Sequence, residues 1–134
     1  MVEVDWKMLR DNAREAMSRA YAHYSGFAVG SAALVDDGRI VVGCNVENVS
    51  YGLGLCAECV LVGNLFAGGG GRLVAVTCCD ASGEILMSCG RCRQILFEHG
   101  GPGLLVDHRT GVRRLEQLLP DAFGPEEKAR IGHA

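Results

Sequence analysis

No apolar run in this chain is long enough to cross a bilayer, which removes a membrane-spanning role. Met1 to Glu3 carry neither the basic cluster nor the apolar segment of an export signal, so a cytoplasmic protein is expected. A clustered basic footprint is missing too: 13 Lys and Arg face 16 Asp and Glu, for a formal net charge of −3. That balance argues against a nucleic-acid-binding surface. There is no internal repeat, long linker or low-complexity tract apart from four consecutive glycines, Gly68 to Gly71. A chain of 134 residues, 49% of them apolar, is therefore expected to form one domain over residues 1–134 with a real core. Cysteine is plentiful. The count of 7 is odd, and several cysteines have better use as thiolates than as disulfides, which again suits a reducing compartment.

The densest chemistry lies between Cys56 and Cys92. The stretch opens with Cys56-Ala57-Glu58-Cys59 and closes with Cys89-Gly90-Arg91-Cys92. Residues three apart share a face of a turn or helix, so a C-x-x-C pair can grip one metal ion. A thiolate from a distant segment can then fix that ion between two elements. Glu58 lifts this above a structural zinc cluster. A carboxylate in that place cannot easily bind the ion itself, yet it can reach a water on the ion. That is the arrangement a hydrolytic deaminase needs.

Around this stretch the chain alternates between helix and strand patterns. Asp5 to Tyr21 reads as an amphipathic helix with Trp6, Leu9, Ala13, Ala16, Met17 and Ala20 on one side and Arg10, Asp11, Arg14 and Glu15 mostly opposite. Ser31 to Val35, the turn Asp36-Asp37-Gly38 and Arg39 to Val46 read as a hairpin. Leu55 to Ala67 and Gly90 to Glu98 read as helices that begin at the cysteine pairs, where helix N-termini stabilise thiolates. Arg72 to Cys79 reads as a buried strand and Ile85 to Met87 as a short strand or extended link. Cys44, Cys78 and Cys79 read as small apolar core residues. Leu104 to Asp107 suits a last short strand and Val112 to Leu119 a short helix, with a loosely held charged tail past Gly124. The expected fold class is α/β: a three-layer α-β-α sandwich with a mixed central sheet.

By themselves, Phe27 suits a core aromatic at a strand entrance, and Asn45 and Glu47 suit either solvated strand ends or a pair of sugar-binding groups on one face. The motifs together say more. Tyr24-Ser25-Gly26-Phe27-Ala28-Val29-Gly30, Asn45-Val46-Glu47-Asn48, Cys56-Ala57-Glu58, Cys89-Gly90-Arg91-Cys92-Arg93-Gln94 and Leu118-Leu119-Pro120-Asp121-Ala122-Phe123 follow one another over most of the chain. In that order they resemble the small zinc-dependent cytidine deaminases of nucleoside salvage. The resemblance implies a cytidine deaminase-like fold and hydrolysis of cytidine and deoxycytidine to uridine and deoxyuridine plus ammonia. It implies one Zn2+ per chain on Cys56, Cys89 and Cys92, with a fourth position left for water and Glu58 as proton shuttle. It places Phe27 against the pyrimidine ring, Ala57 beside the substrate, and Asn45 and Glu47 on the ribose hydroxyls. Members are tetramers, so a homotetramer is implied, with sites at subunit interfaces and Phe123 reaching a neighbour's substrate. The partner is then a small nucleoside, with no nucleic acid and no membrane.

Two positions depart from the family pattern. Many members carry arginine directly after the glutamate, where this chain has Cys59, and Ser88 stands where proline is usual. Ser88 could still cap the helix that follows. Three thiolates around Zn2+ leave a formal charge of −1, which the helix N-termini and either Arg91 or Arg93 could offset. Cys59 also keeps an alternative open, a structural module closed by Cys56, Cys59, Cys89 and Cys92. Such a module would leave Glu58, Phe27, Asn45 and Glu47 without a common purpose. The enzymatic alternative is a relative acting on another aminated nucleoside or base. No residue is an obvious reader of the sugar 2′ position.

Overall fold

The Asp5 carboxylate accepts a hydrogen bond from the Met8 amide at 3.0 Å and so caps the first helix, α1 (Trp6–Met17). This computed structural model describes residues 3–130 of the chain. Leu9, Ala13 and Ala16 form the buried stripe of α1, as their spacing predicts. The helix stops short of Tyr21 because that residue is recruited elsewhere. Its backbone bridges to Val46, donating to the Asn45 carbonyl at 2.9 Å and accepting from the Glu47 amide at 2.8 Å.

Strands β1 (Gly30–Val35) and β2 (Ile40–Cys44) form the expected hairpin, in register from Gly30 opposite Cys44 to Leu34 opposite Ile40. Gly38 turns it with a φ of 94°, a conformation that glycine adopts without strain. On its other edge β1 pairs antiparallel with β3 (Leu73–Cys79). Parallel to β3 runs β4 (Leu105–Val106), and β5 (Arg113–Arg114) returns antiparallel to β4, so the mixed sheet has the order β2-β1-β3-β4-β5.

Alternation along these strands sorts the core into two faces. Ala32, Leu34, Ala75 and Cys79 meet Leu9 and Ala13 of α1. Ala33, Val35, Val76 and Cys78 meet the helices α2 (Ala57–Ala67) and α3 (Gly90–Gly100) through Leu61, Leu65 and Leu96. The three-layer α-β-α sandwich is therefore present, with Cys78 and Cys79 buried on opposite faces as expected.

Three readings need correction. The strand at Leu105 is not the last, because Arg113 and Arg114 pair with it and split the helix expected over Val112–Leu119. Only α4 (Leu115–Leu118) remains helical, and the Leu115 amide still donates to the Leu104 carbonyl at 2.8 Å. Past Gly124 the chain forms an exposed helix, α5 (Pro125–Arg130), where a loose tail was expected. The tail beyond residue 130, and residues 1–2 of the leader reading, lie outside the described residues. Finally, Arg10 does not belong to a solvated face. Its guanidinium makes two bonds to Asp107, at 2.8 and 2.9 Å, and Thr77 donates to the same carboxylate at 2.8 Å. Asp107 is 2% exposed, so this clamp supplies the partners that a buried charge requires. No helix among the described residues is long and apolar enough to cross a membrane.

One close approach decides where α2 lies. A Cβ on Gly43 would stand 2.2 Å from the Ala57 carbonyl oxygen and 2.5 Å from the Leu61 amide nitrogen. Only a residue without a side chain lets β2 carry the first turn of α2 this closely. Gly43→Ala is expected to cost about 1–3 kcal/mol of stability, the scale of overpacking, and to displace the start of α2. Gly63→Ala, with nothing within 4 Å of the added Cβ, should instead stabilise α2 by about 0.5–1 kcal/mol. Melting temperatures of the two variants measure both effects; equal melting points would contradict the close-approach account.

Candidate metal centre and substrate cleft

Helices α2 and α3 begin at one place. Cys56 is the N-cap residue of α2 and Cys89 that of α3, both with extended backbone and neither using its sulfur as a cap. Cys92 lies within the first turn of α3 and is fully buried. The Sγ atoms of Cys56, Cys89 and Cys92 lie within 4.8 Å of one another. Zinc–sulfur bonds of about 2.3 Å in a tetrahedron put sulfurs ~3.8 Å apart, so three sulfurs grouped this closely suit one zinc ion. Cys59, next to Glu58, does not join this group among the described residues.

The electrostatics agree. Burial pushes the Cys56 and Cys92 thiols above their ordinary range, and the nearby Glu58 charge adds to both shifts. At Cys89 burial acts in the same direction, but the Cys92 amide and the thiols of Cys92 and Cys56 outweigh it and hold Cys89 below its usual value. Three sulfurs so placed cannot all ionise alone. A divalent cation removes that penalty, which is the ordinary coupling between metal binding and thiol deprotonation.

Two hydrogen bonds hold the first layer of this centre in place. The Ser31 hydroxyl donates to the Ala57 carbonyl at 3.1 Å, and the Asn64 amide to the Val42 carbonyl at 2.8 Å, tying α2 to the hairpin at both ends. Arg93 is spent on structure: it donates to the Ser88 carbonyl at 3.0 Å and to the Leu118 carbonyl at 2.8 Å. Arg91, in contrast, is exposed and lines the cleft beside Cys89.

That cleft, of about 600 Å³, opens over the sulfurs and is lined by Phe27, Asn45, Glu47, Ala57 and Glu58. Glu58 is only 4% exposed, whereas Phe27 presents 53% of its surface. Asn45 and Glu47 do more than face the cleft. The Asn45 side chain accepts from the Val29 amide at 2.9 Å and donates to the Phe27 carbonyl at 2.8 Å. Glu47 accepts from the Tyr24 amide at 2.9 Å, from the Ser25 amide at 3.0 Å and from the Ser25 hydroxyl. Those bonds, the Ser25 hydroxyl first among them, hold the Glu47 carboxyl below its usual value. Both residues therefore brace the segment that carries Phe27. Cys92 lies buried beneath the cleft floor within the sulfur cluster, whereas Phe123 is apart from both cleft and cluster. It is 69% exposed, and its carbonyl accepts from Gln94 at 2.6 Å on another part of the surface.

The sequence reading missed two neighbours of the site. Tyr51, 83% exposed, lines the cleft mouth from a short 3-10 turn (Tyr51–Leu53) that the sequence pattern did not mark. Cys78, read only as core, lies beside Glu58 and Ser88: burial and the Glu58 charge push its thiol well above the ordinary range. Strand register held that signal. Cys78 pairs with Ser31, whose hydroxyl reaches Ala57, so both face the start of α2.

The residue pattern and the fold both have known counterparts. The sequence model of the family described as "Cytidine and deoxycytidylate deaminase zinc-binding region" matches residues 5–106. A cytidine deaminase of Mycobacterium tuberculosis (strain ATCC 25618 / H37Rv) is 63% identical over 130 residues, covering 97% of this chain and 98% of that protein. A crystal structure of cytidine deaminase from Mycobacterium tuberculosis superimposes with a TM-score of 0.89 at 66% identity, covering 91% of this chain and 99% of that one. A crystal structure of cytidine deaminase from Mycobacterium leprae gives 0.87 at 55% identity, covering 89% and 100%.

Metal content separates a three-sulfur from a four-sulfur centre. Cys59→Ser is expected to retain one zinc per chain and measurable activity, whereas Cys89→Ser should lose the metal or most function. Comparable zinc loss from both, read by elemental analysis, would return Cys59 to the ligand set.

Proposed function

The chain belongs to the cytidine and deoxycytidylate deaminase family, and from that premise we propose that it hydrolyses cytidine and deoxycytidine to uridine and deoxyuridine, with release of ammonia. One observation carries this reading: three cysteine sulfurs cluster at two helix N-termini, and Cys56 and Cys89 of that cluster line a cleft together with a buried carboxylate, Glu58. The family's zinc is its cofactor, one ion per chain, with Cys56, Cys89 and Cys92 as the ligands. When bound, zinc acts as a Lewis acid that makes a water nucleophilic near neutral pH.

The chain's own residues do the rest. Glu58 takes the proton of that water and passes it to ring nitrogen 3 of the cytosine, which leaves carbon 4 open to attack. After the water oxygen has added there, Glu58 takes the remaining proton of the new C4 hydroxyl and gives it to the amino group; the C–N bond breaks as the C4 carbonyl forms, and ammonia leaves. Phe27 supplies the face on which the pyrimidine stacks, and Ala57 closes the wall between metal and ring. Glu47 and the remaining amide hydrogen of Asn45 meet the ribose hydroxyls, so that one pair of side chains both braces the Phe27 segment and reads the sugar. The N-termini of α2 and α3 offset the extra negative charge of three thiolates, with Arg91 as the free cation at the cleft.

The reading extends to the assembly. Residues 1–134 act as one domain, in the cytoplasm, on free nucleosides of the salvage economy and without a nucleic-acid partner. The subunits form a homotetramer in which the exposed Phe123 completes a neighbour's cleft. Its 69% exposure on a surface away from its own site supports that role.

The direct test is incubation of zinc-loaded protein with cytidine and deoxycytidine, following the ultraviolet change to the uracil product. Absence of turnover with both would refute the activity. Glu58→Gln should keep the fold and the zinc yet lower the catalytic constant by about 100-fold or more, the usual scale for a lost acid–base group. Near-normal turnover by that variant would remove Glu58 from the mechanism.

Subunit mixing tests the shared site. Phe123→Ala and Glu58→Ala proteins should each be impaired, and reassembly from both should recover part of the activity. Hybrids no better than the average of their parents, with exchange confirmed by mass, would confine Phe123 to its own chain.

A further inference from the structure

Helix α3 gives its first turn to the sulfur cluster, and one flank of the same helix holds a different segment. Arg93 donates to the Leu118 carbonyl at 2.8 Å, and the half-buried Gln94 donates from its side-chain amide to the Phe123 carbonyl at 2.6 Å. One turn on, Phe97 lies against the buried Gly124, where an added Cβ would stand 2.6 Å from the Phe97 ring. Between these holds Ala122 packs on the core, and Asp121 bends the chain at a φ of 51°, a conformation that aspartate tolerates better than most residues. The backbone around Phe123 is therefore fixed to α3, while its ring is left 69% exposed. An aromatic that packed its own core would be buried, and an idle one would need no such holds. A large apolar side chain on a braced backbone is instead a preorganised anchor, because its freedom is lost before any partner arrives.

We propose that Gln94 is a positioning residue for a neighbouring subunit's cleft: its amide holds the Phe123 backbone so that the ring is aimed at that cleft before substrate enters. Helix α3 then serves two sites, its own through Cys89 and Cys92 and its neighbour's through Phe123. The amide suits this task because its N–H group donates to the carbonyl without placing a charge beside an apolar ring. Gln94 touches neither metal nor substrate and acts through Phe123 alone. The occupant of the Phe123 surface is a second copy of this chain, whose cleft receives nothing from its own Phe123. The inference rests on the shared-site reading given above.

The test uses the Michaelis constant to locate the defect. Gln94→Met keeps a side chain of similar length and removes the donor. It should raise KM for cytidine about three- to tenfold, with the catalytic constant changed less than about twofold, because a loosened ring must be ordered anew at each binding event. Zinc content should stay at one ion per chain. An unchanged KM would overturn the proposal. Gln94→Met protein is then reassembled with a large excess of Glu58→Ala subunits, which lack the proton shuttle, with exchange confirmed by mass. Turnover now comes from the Gln94→Met subunits, and nearly all of their neighbours carry an intact Gln94. Action across the interface returns the measured KM to the wild-type value. A KM that stays raised would place the effect of Gln94 within its own chain and overturn its role in the neighbour's site.

Phe123→Ala, alone and combined with Gln94→Met, separates this claim from the reading beneath it. In the same mixture Phe123→Ala subunits should also recover the wild-type KM. Recovery with Phe123→Ala but not with Gln94→Met would overturn the role of Gln94 alone, whereas recovery with neither would overturn the shared site itself. The double variant should be no worse than Phe123→Ala, because Gln94 works only through that ring. Additive losses would show a separate structural effect of Gln94 and remove it as a positioning residue.

Discussion

Everything at this site depends on bringing two helix N-termini to one point in a dry core. A thiolate is stabilised at a helix start, where amides lack intrahelical partners, and penalised wherever water is excluded. Cys56 and Cys89 occupy the first kind of place and Cys92 the second. The contact is bought at the sheet. Gly43 gives up its side chain so that Ala57 can press on β2, and the Ser31 hydroxyl adds a hydrogen bond to the Ala57 carbonyl across that approach. The metal centre is therefore a property of strand positions that bear no ligand.

The same economy appears at the cleft wall. Asn45 and Glu47 extend from the end of β2 and hold the Tyr24–Val29 segment by its backbone, so the aromatic face of Phe27 is fixed without being buried. A side chain that is more than half exposed would wander on an unbraced loop. Here its backbone is held at the Phe27 carbonyl and at the Val29 amide, and the Ser25 hydroxyl accepts from the Phe27 amide at 2.9 Å.

Much of this was legible in the residues. Apolar periodicity placed α1, the hairpin and β3, and the cysteine spacing with Glu58 inside the first pair located the centre. What escaped shares a cause. Arg113 and Arg114 carry no strand signal because their pairing is imposed by β4, and Tyr21 leaves α1 because Asn45 and Glu47 claim its backbone. Arg10 looked solvated because its partner lies at Asp107, and Cys78 looked inert because its neighbour Glu58 comes from another element. Local pattern reports what a residue prefers; it does not report which distant group will stand opposite.

The Arg10–Asp107 clamp has a consequence for how the chain is made. Its two partners are 97 residues apart, so it is among the last contacts the polypeptide can form as it leaves the ribosome. Cys56, Cys89 and Cys92 have all emerged before Asp107. The nascent chain thus holds a complete set of metal ligands while the helix on the opposite face is still unlocked. The sheet partners of Leu9 and Ala13, namely Ala32, Leu34, Ala75 and Cys79, precede Asp107 as well, so the clamp fastens a helix whose apolar contacts are all already within reach.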